Sequence, residues 1–246
     1  MLDGRTAAWR EVRELAGQGR VAVLPFGAFE QHGPHMPLST DTIMAEELAR
    51  RLATAAGALL LPPVHYGETS GNSGFPGTIS LGFDTVRRIA LDICASLRGS
   101  GVAGLVIVNG DYGNQAPLKL AAREAREQLG YPVLMIDYPG LAEIAAEVSG
   151  TPSAGHGFFH ADEVETSMVL AIEPAAVKMA RAKEEYPEFP PVYGSTPIPL
   201  DQISRSGVFG DPRGATAEKG ARILDALTER ALVIVEAFLA GLKEAG

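Results

Sequence analysis

The sequence predicts an α/β fold with a mostly parallel central sheet flanked by helices on both faces. Three observations lead there. Short apolar runs, VAVLPF, ALLL, GLVIV and VLMI, recur along the chain, and near-continuous hydrophobic runs of that length characterise strands buried on both faces. Amphipathic stretches of helical length separate them, and the resulting βαβαβ order calls for right-handed crossovers. The chain has 246 residues, 46% hydrophobic and 21% charged, without a composition break or repeat. Residues 1–246 are therefore expected to form a single catalytic-sized domain.

The elements follow in order. The start, MLDGRTAAWREVRELAG, reads as an amphipathic helix centred on residues 7–16, since it lacks the charged start and apolar core of a signal peptide. Residues 21–25 form a strand that runs into the polar loop EQHGPH, at the sheet edge where open α/β folds place ligands. Thr40 or Asp41 then N-caps a helix running through MAEELARRLATAA to Gly57. A strand at 58–61 stops at Pro62-Pro63, and residues 64–82 form a Gly/Ser-rich loop of a length that is usually functional. A helix at 85–97 and a strand at 104–108 lead to the turn NGDYGN, where Gly110 and Gly113 permit close backbone approach. A helix at 116–129 and a strand at 133–136 complete the alternation. GHGFFHADEVETSMVLAIEP places two histidines before a helix whose acidic start, Asp162 and Glu163, suits the helix dipole. Residues 184–211 read as a Pro/Gly/Ser-rich excursion over the surface. A last amphipathic helix, 216–242, packs on the sheet.

The formal charge of −9 and the absence of basic clusters exclude a nucleic-acid partner, which needs concentrated Lys and Arg. No apolar run reaches membrane-spanning length, so no membrane partner is expected and the protein is read as cytoplasmic. The single cysteine, Cys94, sits in a helical pattern and reads as a buried core thiol rather than a nucleophile.

The chemistry concentrates in VAVLPFGAFEQHGPHMPLSTD, residues 21–41, which holds Glu30, His32, His35 and Asp41. A Glu-x-His pair in a loop, with an Asp nine residues beyond the His at a helix start, can enclose a divalent cation with mixed O and N ligands. The alternative is a polar turn with two surface histidines. Glu165, beside the two histidines of GHGFFHADEVE, is harder to explain by the helix dipole alone.

With LPFGAFEQHGPHMPLSTD, FPGTISL, VNGDYGN, HADEVETS and GVFGDPRGATAEKG in view, the chain resembles the creatininase, or creatinine amidohydrolase, family of metal-dependent C–N hydrolases. The first and fourth segments are the specific ones. The resemblance implies the creatininase-like three-layer fold, assembly as a homohexamer, a small-molecule substrate and two divalent ions side by side at the C-terminal edge of the sheet. It implies that Glu30 and Asp41 hold the first ion, that Asp41 bridges to the second, and that His32 and Glu165 complete the second. His160 would lie beside them, facing the scissile bond.

One turn departs from the family. Its members usually read Asn-Gly-His there, with the His a ligand of the first ion, and creatininase proper adds a Glu two residues on; this chain has Asp111 and Gly113. Glu30, Asp41, Asp111 and Glu165 together supply four negative charges, which balance two divalent cations. Asp111 is therefore read as a direct ligand. The expected sites are Zn²⁺ at His32/Asp41/Glu165 and a weaker, oxygen-only site at Glu30/Asp41/Asp111 for Mn²⁺, Mg²⁺ or Zn²⁺.

The implied reaction is attack by an activated water on an amide-type carbonyl, with His160 protonating the leaving nitrogen. His160 and Glu165 are the candidate catalytic residues, and Tyr112, Asn72 and Thr78 the candidate substrate-binding ones. Tyr112 either lines the pocket or packs under the turn. His35 is expected to orient the loop or a ligand carboxylate, while His65 and His156 are either surface or substrate-facing. Backbone N–H groups of residues 71–78 are a further candidate oxyanion site. Creatinine itself fits poorly as a substrate, since creatininase proper covers it with tryptophans on a mobile segment and the one tryptophan here is Trp9. A small amide, lactam or formamide is expected instead. The alternatives are a mycofactocin-type precursor peptidase and a non-hydrolytic ligand-binding or repurposed metalloenzyme of the same fold.

Overall fold

A computed structural model of the chain describes residues 1–155 and 157–244. Five strands, β1 (Leu2–Asp3), β2 (Ala22–Phe26), β3 (Leu59–Leu60), β4 (Leu105–Asn109) and β5 (Val133–Ile136), form a fully parallel sheet in the order β1-β3-β2-β4-β5. The helices are α1 (Trp9–Gly17), α2 (Thr40–Ala56), α3 (Phe83–Gly99), α4 (Gln115–Leu129), α5 (Leu141–Val148), α6 (Glu163–Ile172) and α7 (Ala217–Glu244).

The pleat sorts β4 between two cores. Leu105 and Ile107 join Leu15 of α1, Val86, Ala90 and Cys94 of α3, and Leu118 and Ala121 of α4. Val106 and Val108 face the other way, onto Ala45, Leu48 and Leu52 of α2 and Ala231 and Val235 of α7. Alternate side chains thus feed opposite helical layers, giving three layers. Beyond the sheet, α5, α6 and α7 enclose a further core around Met44, Met168 and Leu227.

Central strand β2 contains Pro25, which cannot donate to a ladder. Its vacant side faces β3, because the carbonyls of Val21, Val23 and Pro25 all accept from that direction, at Leu59, Leu61 and Val64. β3 has already ended there, at Leu60, so no donor is missed and β2 leaves its edge at that point. The strand order decides what lies above it. From β2 the chain turns through α2 to β3 on one side, and from β4 through α4 to β5 on the other. The two connections diverge and leave a crevice over the C-terminal ends of β2 and β4, the switch point where such sheets bind ligands.

Two local expectations need correcting, and one helix is added to them. Residues 2–3 form edge strand β1 against β3, so the first helix begins only at Trp9; the two backbone groups gain sheet partners that a helix start would leave orphaned. Neither Thr40 nor Asp41 caps α2, whose N-cap is Ser39 without a side-chain bond; Thr40 instead donates its hydroxyl to the Pro37 carbonyl at 2.8 Å. Helix α5, in the stretch after β5, was not anticipated, since its apolar face meets α7 rather than the sheet.

Candidate metal centre

The loop after β2 is clamped at three points. Gly27 N–H donates to Val64 O, Glu30 N–H to Leu38 O and Ile79 N–H to Phe29 O, each at 2.9 Å. These bonds direct Glu30 and His32 inward over the sheet edge, and both are buried, at 4% and 1% exposed. His32 Nδ1 lies 3.2 Å from the Glu30 carbonyl, so that nitrogen carries the proton and Nε2 presents a lone pair, the arrangement typical of a metal-binding imidazole. Asp41 enters on the first turn of α2, where its charge suits the helix dipole. Glu165 enters on the first turn of α6. There Asp162 caps the helix, accepting from Val164 and Glu165 N–H at 2.9 and 3.1 Å, and Glu165 Oε2 accepts from Ala161 N–H at 2.7 Å.

The turn after β4 adds Asp111. Gly110 is what lets it approach: a Cβ there would stand 2.4 Å from the Asp41 carbonyl oxygen, so the turn rests directly on the α2 backbone. Asn109 braces it, donating to Asp137 Oδ1 at 2.8 Å and to the Asp111 carbonyl at 2.7 Å.

Three sets of donor atoms converge, each within 4.8 Å of one another: His32, Asp41 and Glu165; Glu30, Asp41 and Asp111; and Glu30, His32 and His160. The first two are the pairs of sites expected from the sequence, joined through Asp41. His32 Nε2 is 3.3 Å from Asp41 Oδ1 and 3.6 Å from Glu165 Oε2, while His160 Nδ1 is 3.9 Å from Glu30 Oε1.

The donors fit divalent cations on two counts. His32 Nε2, Asp41 Oδ2 and Asp111 Oδ2 are buried and have no hydrogen-bond partner, and unmet polar atoms at this depth are costly unless a ligand uses them. The charges also lack compensation. Among the described residues, the ion-pair partners of the four carboxylates are the histidines His32 and His160 alone. Burial and the neighbouring charges of Asp111 and Asp41 push Glu30 well above the usual carboxylate range. Burial and Asp41 do the same to Asp111, and burial raises Glu165 to about 8. Burial alone would lower His32, yet Asp41, Glu165 and Glu30 drive it up to about 10. The shifts of Glu30, Asp111, Glu165 and His32 are each a demand for positive charge, which a cation supplies in place of protons.

Supporting residues sit close by. Asn72 donates to Glu30 Oε2 at 2.8 Å and accepts from Gln31 Nε2 at 2.8 Å. Thr78 Oγ1 accepts from Gln31 N–H at 3.1 Å. The polar atoms of Asn72 and Thr78 are therefore committed to holding the ligand loop rather than facing open space. Tyr112 is 79% exposed at the mouth of the crevice. His35 packs its Nε2 against Thr166 Oγ1 at 2.9 Å, which ties the loop to α6 and not to a carboxylate. His65 is exposed, and His156 lies outside the described residues. The N–H groups of Asn72, Ser73, Phe75 and Thr78 point back to carbonyls of their own loop, so these four cannot form an oxyanion site.

Two residues escaped the sequence reading. Gln31 was hidden inside the motif; its Nε2 lies 2.7 Å from His160 Nε2 and its Oε1 accepts from Gly33 N–H at 2.9 Å. Tyr138, just past β5, buries an unpartnered hydroxyl, and burial with the charges of Asp41, Glu165 and Asp111 raises its pKa well above the ordinary phenol value. Only the spacing of Asn109 and Asp137 at the ends of adjacent strands could have pointed to that region. Two adjoining clefts open on the centre. One, of about 520 Å³, holds Glu30, Asp41, Asp111, His160 and Glu165; the other, of about 850 Å³, has walls of Tyr138, Phe158, Phe159 and Tyr193.

Known proteins are similar to this chain in sequence and in fold. A profile of the creatininase family, described as creatinine amidohydrolase, matches residues 5–235. Creatinine amidohydrolase of Pseudomonas putida is 30% identical over 88% of this chain and 89% of its own length. The mycofactocin precursor peptide peptidase of Mycobacterium ulcerans (strain Agy99) is 35% identical over 82% and 78%. Among solved structures, a mutant creatininase described as Zn-Zn type superposes with a TM-score of 0.87 at 28% identity, covering 96% of this chain and 98% of that one. A structure described as creatininase Mn gives 0.85 at 29% identity over 96% and 98%. The chain belongs to the creatininase family, metal-dependent hydrolases of carbon–nitrogen bonds.

Proposed function

We propose that this chain, as one catalytic domain over residues 1–246, hydrolyses a small amide, lactam or formamide, with His160 as proton donor. The observation that carries the reading is the pair of donor sets joined at Asp41, with orphaned His32, Asp41 and Asp111 atoms between them. Bound divalent ions supply an acidified water and polarise the scissile carbonyl. The protein's own groups do the rest. Gln31 donates its amide N–H to His160 Nε2, which leaves the ring proton on Nδ1, the nitrogen nearer Glu30. Burial and the charge of His32 hold the His160 pKa well below the ordinary histidine value. To act as donor, neutral His160 takes up the proton released by the attacking water, and its low pKa favours passing that proton on to the leaving nitrogen. Glu165 serves as ligand and, through Ala161 N–H, ties the segment bearing His160 to the same centre. The assigned ions are Zn²⁺ at His32/Asp41/Glu165 and Mn²⁺, Mg²⁺ or Zn²⁺ at Glu30/Asp41/Asp111. Tyr112 is assigned to the substrate side of the mouth, and Asn72 and Thr78 act through the ligand loop.

A second reading is cleavage near the end of a short peptide. It is supported by the similarity to the mycobacterial peptidase and by a cleft of about 850 Å³ with aromatic walls, roomier than a creatinine-sized molecule needs. No helix among the described residues is long and apolar enough to cross a membrane. A cytoplasmic homohexamer completes the proposal, and light scattering tests its assembly.

The experiment is metal-dependent hydrolysis of a panel of formamides, lactams and short peptides, with chelated protein as control. Activity that survives chelation would sink the mechanism. His160→Ala should keep the metal content and lose about a hundredfold in turnover; unchanged turnover would remove His160 from it. Elemental analysis after gentle purification that finds two tightly held zinc ions would overturn the assignment of the weaker site.

A further inference from the structure

Gly113 carries no side chain, and Glu68 packs against the face where one would project. The ideal Cβ position of Gly113 is 2.8 Å from Glu68 Oε2 and 3.1 Å from Asp111 Oδ2. The two carboxylate oxygens flank one small volume, no farther apart than those distances together. Asp111 Oδ2 is buried there without a partner, and in the adjoining Glu30/Asp41/Asp111 donor set Asp41, only 2% exposed, buries an unpartnered Oδ2. Glu68 lines the same cleft as Glu30, Asp41 and Asp111.

The Glu68 backbone is held more firmly than its carboxylate. Its N–H donates to Asn114 Oδ1 at 2.8 Å, and its carbonyl sits only 2.0 Å from where a Gly113 Cβ would be, so the loop can run against the turn only with glycine at 113. Glu68 Oε1 accepts a long bond from Ser70 N–H, at 3.2 Å, and among the described residues no donor bonds Oε2. We propose that Glu68 is an additional ligand of the ion held by Glu30, Asp41 and Asp111, its carboxylate reaching the ion across the glycine at 113. A fourth oxygen donor makes this site a harder one, suited to Mn²⁺ or Mg²⁺. The inference rests on the metal reading above and extends it to a residue outside the three donor sets.

The test is binding, not turnover. Metal-stripped wild type, E68Q and E68D are titrated with Mn²⁺ by calorimetry and electron paramagnetic resonance, and with Zn²⁺ in parallel. Since loss of a partner merely outside the ligand sphere costs about 10- to 100-fold in affinity, E68Q should weaken Mn²⁺ at one site by at least about tenfold and leave the Zn²⁺ site unchanged. E68D, one methylene short, should lose affinity too. Two ions bound with equal affinity by all three proteins would overturn the role of Glu68 and leave the metal reading intact. Loss in E68Q with full retention in E68D would assign a field effect and overturn ligation. Wild type that binds no ion, or one only, overturns the shared premise. Thermal melts of the metal-free proteins, expected to coincide because Glu68 is half-exposed, separate ligation from misfolding.

Discussion

Gly110→Ala tests how far the centre depends on backbone contact. The new methyl carbon would stand 2.4 Å from the Asp41 carbonyl oxygen, 3.0 Å from its carbonyl carbon and 3.2 Å from Ala45 Cβ. Ordinary contact begins near 3.4 Å, so the turn after β4 and the first turn of α2 must separate by about 1 Å, because neither backbone can rotate aside. That displacement acts on both sites, since Asp41 belongs to each and Asp111 follows Gly110. Overpacking of this kind costs about 1–3 kcal/mol, or roughly 2–4 °C of melting temperature per kcal/mol for a chain of this size. A 1 Å misplacement of reacting groups costs on the order of a hundredfold in rate. The assay is calorimetric Mn²⁺ and Zn²⁺ affinity, with turnover and a thermal melt on the same samples. Wild-type affinity and turnover in Gly110→Ala would refute the claim that this contact sets the ligand geometry.

Two further predictions concern the scaffold. Glu163 is buried and joined to Lys219 Nζ, with Gly150 and Thr151 N–H also donating to it; Lys219→Met leaves that carboxylate without its cation and should destabilise the fold by roughly 3 kcal/mol, read by urea denaturation, and a loss under about 1 kcal/mol would mark the pair as peripheral. Glu185 anchors the excursion of residues 184–211, where burial would raise its carboxyl but Ser206 and the N–H groups of Arg205 and Ser206 hold it below its ordinary 4.5. Because the folded pKa is the lower one, its contribution is present above about pH 4.5 and is lost as pH falls through the folded value. Wild type should therefore outlast Glu185→Gln at neutral pH and converge with it in acid; a gap independent of pH would contradict this.

The layered fold and half of the centre were legible because both are local. Apolar runs at strand length, the helix periods between them and Glu30, His32 and Asp41 lie close enough in sequence for pattern to speak. Gly57 ends α2 and residues 133–136 form a strand, both as read. Boundaries failed where a partner outside the window decided: Leu2 and Asp3 pair with β3, and α5 takes its partner from α7. Asp41 read as a cap because capping and metal binding both favour an Asp close to a helix start, although Ser39 holds the N-cap position.

By itself, then, the sequence determined the layers, the loop edge where the chemistry gathers and the residue types able to hold cations, since periodicity and side-chain chemistry are carried in the chain. The tertiary structure decided which carboxylates share an ion. Strand order places the ends of β2 and β4 side by side, α6 delivers Glu165 to His32, and glycines at 110 and 113 allow the backbone contacts that bring Asp111 to Asp41 and Glu68 beside Asp111. Those distances depend on contacts between segments far apart in the chain, which no local pattern encodes.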